Sequence, residues 1–349
     1  MVEPGVRAEE LRECEHGGFT VRGVSVTDFS ANLNPYGPPD FIFDALKACM
    51  GEIKNYPNVE SEQLKALIAR KFGCPESEVL VGAGVSELIQ LVTIGFVKKR
   101  AVIPAYTYGE YEKSVRMMGA EVKKVEMPGL ELKPELISET MQPDDVVFLC
   151  NPNNPTGQYI PEEGLSLLID EAERVDALLV LDEAYIDFVN DAFPSHSYLS
   201  STGNLLILRS LTKSFAIPGV RVGYALGSEP VISVLRQLKA PWSVSVFAQR
   251  IGEAVLGAAG DKFIEDTRWK ISKSKRRLER ALGIHSDANF YIYDVGRGRA
   301  ASEVRAGLLS HGLAVRDCTS FGLPSHIRFA VRKDEENEIL MDMLMRLCL

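Results

Sequence analysis

The sequence predicts an α/β protein with a mainly parallel sheet covered by helices, followed by a smaller α+β region. Two observations carry this prediction. From about residue 61, short apolar runs rich in β-branched residues alternate with segments of helical periodicity, and such strands need helices on both faces of the sheet to bury them. From about residue 265 onward the alternation is lost, because short strands and helices are mixed.

The individual elements follow in a regular order through the first two thirds of the chain. Strands are predicted at EVLVGAG, RAVIP, EVKKVEM, DDVVFLC, ALLVLDEAY, NLLILRS and RVGYALG. Helices are predicted at SEQLKALIARKF, whose first serine is expected to cap it, and at SELIQLVTIGFVKK, YGEYEKSVRMMG, PELISETM and PEEGLSLLIDEAERV. Because ligands of such sheets bind beyond the carboxyl ends of the strands, the residues that follow these strands are the candidates for function.

Three regions are predicted along the chain. Residues 1–40 are rich in Gly, Pro and Asn and are expected to pack across a cleft. Residues 41–264 form the large domain, and residues 265–349, with the strands NFYIYDV, LAVRDC and HIRFAV, form the small α+β domain. The long charged helix KFIEDTRWKISKSKRRLERAL would connect the two domains.

Composition narrows the class of protein. With 39 basic and 48 acidic residues the net charge is −9, which gives no reason to expect nucleic acid or an anionic membrane as a partner. The six cysteines form no CxxC pair, so neither a zinc site nor a disulfide framework is expected, and a reducing cytoplasm fits best. The N-terminus lacks the apolar segment of a signal peptide, and no apolar run approaches the roughly 20 residues of a membrane span.

Polar residues follow four of the predicted strands. VGAGVSEL is a glycine turn that opens a helix, where backbone N–H groups can bind phosphate, although any α/β protein needs such a turn for packing. PAYTYGEY offers tyrosines that could stack on a flat ring or simply fill the core. NPNNPTG contains two Asn-Pro pairs, more than a turn requires. LLVLDEAY ends a buried strand on Asp182, and a buried carboxylate needs a partner.

The most informative stretch is LILRSLTKSFAIPGVRVGY, which brings Ser210, Lys213 and Arg221 within twelve positions. A lysine at a strand end is more often a solvated surface group, but the irregular loop AIPGVR can direct both cations inward. Together with Asn154 and Tyr185, the set offers a phosphate site, a stacking face, ring-oxygen donors, a buried acid, a nucleophilic amine and an arginine. Pyridoxal 5′-phosphate is the cofactor that needs all of these.

The motifs NPNNPTG, LDEAY and SLTKSFAIPGVRVGY, in that order, resemble those of the fold-type I, aspartate-aminotransferase-like superfamily of pyridoxal phosphate enzymes, from about residue 28 to the end of the chain. The resemblance implies a mainly parallel seven-stranded sheet in a large domain, with a small C-terminal domain completed by the N-terminal segment. It also implies a homodimer with shared active sites, because Tyr56 in NYP would reach the neighbouring subunit's cofactor phosphate.

The resemblance also implies a role for each matching residue. Lys213 would form the Schiff base and move protons, and Asp182 would pair with the ring nitrogen. The remaining cofactor contacts would come from Asn154 and Tyr185 on the ring oxygen, Tyr106 stacked on the ring, and Val85, Ser86, Ser210 and Arg221 on the phosphate. Arg328 would bind the substrate carboxylate, Arg316 a substrate phosphate, and Asn32 is a plausible helper.

Within the superfamily, four stretches resemble L-threonine-O-3-phosphate decarboxylases of cobalamin synthesis more than histidinol-phosphate aminotransferases. They are HGG at 16–18, DFSANLNPYGPP, FAIPGVRVGY and IRFAVR. Two features depart from the usual pattern: the spacer after HGG is short, which leaves the role of His16 open, and GAG replaces GNG, so Ala83 offers no side-chain amide. The hypothesis is therefore decarboxylation of a phosphorylated amino acid, with transamination as the alternative.

Two interpretations from other classes stay open on the sequence alone. A nicotinamide-dependent oxidoreductase is suggested by GAGVSE, but Glu87 occupies the third glycine position of that fingerprint and Lys213 would have no role. A non-catalytic protein that binds pyridoxal phosphate is the other interpretation, although the chain shows no attached DNA-binding module.

Overall fold

The computed structural model describes residues 16–18, 26–296 and 298–348. The strands are β1 (Thr27–Asp28), β2 (Val79–Gly82), β3 (Arg100–Pro104), β4 (Glu121–Val125), β5 (Val146–Cys150), β6 (Leu178–Asp182), β7 (Leu205–Ser210), β8 (Gly223–Gly227), β9 (Phe290–Asp294), β10 (Leu313–Ala314), β11 (Arg316–Asp317) and β12 (His326–Ala330). The helices are α1 (Asp40–Cys49), α2 (Glu62–Phe72), α3 (Val85–Phe96), α4 (Gly109–Met117), α5 (Pro134–Thr140), α6 (Glu162–Val175), α7 (Leu211–Ser214), α8 (Glu229–Leu238), α9 (Val246–Val255), α10 (Ala258–Leu282), α11 (Ala301–Ser310) and α12 (Asp334–Cys348).

The large sheet has seven strands in the order β2-β8-β7-β6-β5-β3-β4. Strands β4, β3, β5, β6 and β7 pair in parallel, whereas β8 runs antiparallel to both of its neighbours, β7 and β2. The prediction of a mainly parallel seven-stranded sheet is confirmed. Its central strands are buried along their whole length, which explains why they appear in the sequence as continuous apolar runs.

Alternate residues of the central strands enter two different hydrophobic cores. On β6, Val180 belongs to the core that also contains Phe148, while Leu179 and Leu181 belong to the core on the other face. Successive side chains of a strand point to opposite faces. This alternation sends Asp182 toward the face of Val180 and Glu183 toward the other.

A separate small sheet follows the large one. Strands β11, β12 and β9 form an antiparallel sheet, and β1 pairs in parallel with β10. Strand β1 is thus attached to the C-terminal part of the chain. The proposed domain boundary at residue 265 falls within α10, which continues without a break from Ala258 to Leu282.

One local expectation is wrong. Ser61 directly precedes α2 but does not cap it, since its backbone is left-handed, with φ of 54°, and its hydroxyl has no hydrogen-bond partner among the described residues. Asn58 provides the cap instead, because its Oδ1 accepts hydrogen bonds from the backbone N–H groups of Glu60 and Glu62, at 3.0 and 3.3 Å.

Membrane spans, metal sites and disulfides can each be checked among the described residues. None of the helices in the described ranges is both long and apolar enough to cross a membrane. Within the same ranges, no group of His, Cys, Asp and Glu could hold a metal ion. Cysteines 49, 74, 150, 318 and 348 are free. Cys14 lies outside the described residues, as do the rest of 1–15 and residues 19–25 of the N-terminal segment.

Candidate active site

A cavity of about 350 Å³ lies at the carboxyl ends of β5, β6 and β7, between the large sheet and the small one. The sequence-predicted site residues that line it are Asn32, Val85, Ser86, Asn154, Asp182, Tyr185, Ser210, Lys213, Arg221, Arg316 and Arg328. The structure therefore brings together all of the predicted site residues except Tyr56 and Tyr106. Residues from distant parts of the chain meet here because the carboxyl ends of parallel strands share one edge of the sheet.

Asp182 is the buried acid of the cavity. Its carboxylate accepts a hydrogen bond of 2.6 Å from the Tyr111 hydroxyl and one of 3.0 Å from the backbone N–H of Ala184. Burial raises the pKa of Asp182 to about 6, and these two hydrogen bonds oppose that rise because they favour the charged form. Near neutral pH the group is a carboxylate that can pair with a cation inside the cavity.

Lys213 is the amine of the cavity, and it lies on the single turn of α7. Among the described residues, no carboxylate oxygen lies within 4.0 Å of its Nζ, which is 5.9 Å from the centre of the Tyr185 ring. Burial lowers the pKa of Lys213 to about 8, helped by the positive charges of Arg328 and Arg221 and opposed by Asp182. A lowered pKa makes a larger share of the amine neutral and nucleophilic at physiological pH.

The N-terminus of α3 offers groups that could bind an anion. Gly84 precedes the helix with φ of 83°, and no side chain caps the first turn, so the N–H groups of Val85 and Ser86 belong to the unpaired first turn of the helix. The guanidinium of Arg221 lies against Gly84, where a Cβ atom would come within 2.6 Å of Nη2. With the nearby Ser210 these groups offer the donors and positive charge that bind phosphate.

Two buried arginines face each other at the opposite end of the cavity. Arg316 on β11 and Arg328 on β12 are directly opposite in the antiparallel register, and each is only 5% exposed. Arg328 donates from Nη1 to Asn154 Oδ1 and from Nη2 to the carbonyl oxygen of Ser30, the latter at 2.8 Å. Arg316 Nη2 donates to Ser320 Oγ at 2.6 Å. Burial lowers the pKa of Arg328, and the charge of Arg316 adds to this effect.

Tyr106 is a correction, because it does not line this cavity. Its backbone is fixed by a contact with Met127 Sδ and by a hydrogen bond from Asn153 to its carbonyl oxygen. The ring borders a second cavity of about 230 Å³ and lies next to Gly322. Tyr108, two residues further along the loop, lines the main cavity instead, so of these two tyrosines only Tyr108 is placed where it could offer the predicted stacking face.

Tyr56 lies outside the cavity of its own chain. It is 80% exposed, and its ring packs against Trp242 with the ring centres 4.7 Å apart. Contact of Tyr56 with the cofactor phosphate of a neighbouring subunit therefore stays a prediction.

Several residues in or next to the cavity were missed in the sequence or left without a role. Tyr111 is fully buried in α4, stacked on Phe148, and bonded to Asp182. The only sequence signal was its place in the tyrosine-rich stretch PAYTYGEY. His16 also lines the cavity, with Nε2 3.0 Å from a Glu110 carboxylate oxygen. Ser320 and Phe321, which also line the cavity, carried no signal at all.

Comparison with known proteins agrees with this geometry. Residues 24–344 match the family Aminotransferase class I and II. A threonine-phosphate decarboxylase from Salmonella typhimurium is 32% identical, covering 93% of this chain and 94% of that protein. A histidinol-phosphate aminotransferase from Symbiobacterium thermophilum is also 32% identical, covering 90% of this chain and 88% of that protein.

Among solved structures, the histidinol-phosphate aminotransferase from Clostridium acetobutylicum superposes with a TM-score of 0.83 at 26% identity, covering 90% of this chain and 97% of that one. The match supports neither the nicotinamide-dependent interpretation nor the non-catalytic one. The chain belongs to the class I and II aminotransferase family and is a pyridoxal 5′-phosphate enzyme.

Proposed function

We propose that the protein is an L-threonine-O-3-phosphate decarboxylase. The observation that carries this proposal is the pair of buried arginines, Arg316 and Arg328, directly opposite each other at one end of the cavity. Like charges opposite each other on neighbouring strands repel, and a substrate with two anionic groups relieves that repulsion. O-phosphothreonine carries a carboxylate and a phosphate in one molecule, so it engages both guanidinium groups at once.

The residues of the cavity fit the cofactor. The N-terminus of α3, Ser210 and Arg221 form a phosphate site at one end, and Asp182 supplies the acid for a ring nitrogen. Asn32 Oδ1 is buried and has no hydrogen-bond partner among the described residues, as expected where a bound group completes the site. Asn154 and Tyr185 would bind the ring oxygen, with Tyr108 against the ring.

Lys213 is proposed to attach the cofactor and to move protons during the reaction. When bound, pyridoxal phosphate supplies an aldehyde that condenses with amines and a ring that accepts the electrons of the bond that breaks. Arg328 holds the substrate carboxylate and Arg316 holds the phosphate. In decarboxylation the bond from Cα to the carboxylate breaks, CO₂ leaves without the bonding electrons, and Lys213 Nζ delivers a proton to Cα.

Asp182 keeps its negative charge near neutral pH through the hydrogen bonds from Tyr111 and Ala184. A carboxylate at this position stabilises a protonated ring nitrogen and so favours acceptance of electrons by the ring. Tyr185 stays a neutral hydroxyl, because burial raises its pKa to about 12, and it accepts a hydrogen bond of 3.3 Å from Asn32 Nδ2. The carboxylate of Asp182 and the neutral hydroxyl of Tyr185 are therefore in the required protonation states before the substrate binds.

Transamination between histidinol phosphate and 2-oxoglutarate is the second candidate. It is supported by the similarity to a histidinol-phosphate aminotransferase over 90% of the chain. In that reaction the two arginines would bind a phosphate in one half-reaction and two carboxylates in the other. Histidinol phosphate itself has no carboxylate and would use only one arginine, which is why decarboxylation fits the pair better.

Two parallel incubations separate the two reactions. Purified protein loaded with the cofactor is given O-phosphothreonine alone, or histidinol phosphate with 2-oxoglutarate, and both CO₂ release and glutamate formation are measured. We expect CO₂ from O-phosphothreonine and no glutamate. Glutamate from histidinol phosphate without CO₂ from O-phosphothreonine would replace the first proposal by the second, and Lys213→Ala serves as the inactive control in both incubations.

A homodimer is proposed as the active form. Tyr56 packs against Trp242 (47% exposed), and Met50 (61%) and Ile53 (72%), a few residues before Tyr56 in the chain, are large exposed apolar side chains as well. Clustered apolar exposure of this kind is typical of an interaction surface, and a second copy of the chain is the partner that the resemblance predicts. Light scattering of the purified protein, compared with a Met50→Lys/Ile53→Lys double variant, tests whether this surface holds two chains together.

A further inference from the structure

The reactive lysine lies on a helix too short to hold its own position. The helix α7 consists of four residues, Leu211–Ser214, and a single turn is not stable by itself. The carbonyl groups at the end of such a turn need partners from elsewhere in the chain. The position of Lys213 therefore depends on the residues that bind the backbone of this turn.

Asn34 supplies those partners. Its backbone N–H donates to the carbonyl oxygen of Lys213 at 3.0 Å, and its Nδ2 donates to the carbonyl oxygen of Ser214 at 2.8 Å. Its Oδ1 accepts a hydrogen bond of 3.0 Å from the backbone N–H of Tyr36, which fixes the asparagine in its own turn. Asn34 is 3% exposed, so these bonds form away from competing water.

The second proton of the same amide reaches the helix that leads to the small domain. Nδ2 of Asn34 also donates to Thr267 Oγ1 at 2.9 Å, and the Thr267 hydroxyl donates to the carbonyl oxygen of Phe263 at 2.7 Å. Both residues lie on α10. The amide of Asn34 thus ties the turn of Lys213 to α10 through one side chain.

The segment that carries Asn34 also contacts the substrate end of the cavity. The carbonyl oxygen of Ser30 accepts from Arg328, and Asn32 donates to the Tyr185 hydroxyl. At its other end, Gly37 packs so closely that a Cβ atom there would lie 2.8 Å from the carbonyl oxygen of Phe215, two residues after Lys213. The segment therefore spans the cavity from the arginine to the lysine.

We propose that Asn34 is a positioning residue that fixes the turn of Lys213 and couples it to α10. The inference rests on the proposed role of Lys213 as the reacting amine. Asn34 touches neither the cavity nor a reacting atom, so it acts only through the backbone of the lysine turn. No sequence pattern indicated this role, because Asn34 stands in the NLNPYGPP stretch beside the more obvious Asn32.

A displaced turn would change the surroundings of the lysine amine in a measurable way. The charged or titratable groups that face it are Asp182 on β6, Tyr185 after β6, Arg221 before β8 and Arg328 on β12. Burial and the two arginines keep its pKa near 8. If the turn loosens, the amine gains access to water and moves away from the arginines, so its pKa rises toward the ordinary value of lysine.

The test is competitive acetylation of Lys213 between pH 6 and 11, with the extent of labelling measured by mass spectrometry. It uses the full-length protein after the cofactor has been removed with phenylhydrazine. The main variant is Asn34→Ser, which removes both amide donors while the serine hydroxyl can still accept from the Tyr36 N–H. We expect the labelling midpoint to rise from about 8 by about one pH unit or more. Asn337→Ser is the matched control, because Asn337 is equally buried and bonded to the backbone of Arg332, away from the cavity.

An unchanged midpoint in Asn34→Ser, or an equal rise in Asn337→Ser, overturns the proposal even if both variants lose thermal stability. If Asn34→Ser does not fold, Thr267→Val decides, since it removes one acceptor of the amide: a smaller rise supports the proposal and no rise overturns it. Borohydride reduction of the wild-type holoenzyme checks the proposed function separately. If the cofactor is not fixed to Lys213 there, the assignment of the lysine itself fails.

Discussion

Removal of one hydroxyl tests how the buried acid of the site is controlled. In Tyr111→Phe the ring stays stacked on Phe148, whose centre lies 5.2 Å away at an interplanar angle of 9°. The 2.6 Å hydrogen bond to Asp182 is lost, together with the contact between the hydroxyl and Cys150. The space left by a single oxygen is small, so packing changes little. The variant therefore tests the contribution of the hydrogen bond from Tyr111 to the charge on Asp182.

The magnitude follows from the charged acceptor. A hydrogen bond to a charged group contributes roughly 1.5–3 kcal/mol, and one pKa unit corresponds to about 1.4 kcal/mol. The bond favours the carboxylate form, so its loss should raise the pKa of Asp182 from about 6 by roughly one to two units. At pH 7 roughly half to nine-tenths of the acid would then be protonated in the cofactor-free protein.

Carbon-13 NMR of cofactor-free protein labelled at the aspartate Cγ measures this pKa directly, with Asp182→Asn to assign the resonance. Tyr293→Phe is a suitable control, because Tyr293 lies on β9 away from the cavity. A midpoint for Asp182 in Tyr111→Phe that stays the same, or moves down, would refute the reasoning that Tyr111 stabilises the charged form.

Three further predictions concern the substrate, the subunit arrangement and pH. Arg316→Ala should raise the KM for O-phosphothreonine by roughly 10- to 100-fold, because a charge-assisted hydrogen bond is lost. The slow turnover of unphosphorylated threonine should be unchanged, and an equal loss of activity on both substrates contradicts the phosphate role. Tyr56→Ala and Lys213→Ala should each be inactive alone but regain part of the activity when the two variants are mixed and reassembled, because a hybrid dimer has one site with both native residues. If hybrid dimers form and no activity is recovered, the result argues against a shared site. The pKa of Asp182 is raised from 3.8 to about 6 in the folded protein, so its contribution to stability is present below about pH 4 and lost as the pH rises through about 6, on the order of 3 kcal/mol. Urea unfolding of cofactor-free protein should show this fall, and Asp182→Asn should lack it.

Much of the site could be predicted because it depends on the ends of strands. Asp182 ends β6, Asn154 follows β5 and Lys213 follows β7, and each position could be inferred from an apolar run that stops at a polar residue. A parallel sheet gathers such ends at one edge, so their proximity followed from the fold class alone. Arg328, which lies far along the chain in the small sheet, was predicted from the family resemblance instead.

Two of the three tyrosines in PAYTYGEY show where this reasoning stops. Tyr106 and Tyr108 lie two positions apart after the same strand and have the same chemistry, so no periodicity separates them. The hydrogen bond from Asn153 to the carbonyl oxygen of Tyr106 turns the first ring toward the second cavity and leaves the cofactor cavity to Tyr108. A contact made across 47 positions of sequence decides which ring faces the site.

By itself, the sequence determined the α/β architecture, the chemical types gathered at the sheet edge and the cofactor they suit, because hydrophobic periodicity and strand ends are local properties of the chain. Only the tertiary structure decided three features. They are which hydroxyl stabilises the charged form of Asp182, which asparagine binds the backbone of the Lys213 turn, and which two arginines lie opposite each other. These features depend on hydrogen-bond distances and on strand register between segments that are distant in the sequence. A shift of a fraction of an ångström between such segments is enough to make or break a hydrogen bond.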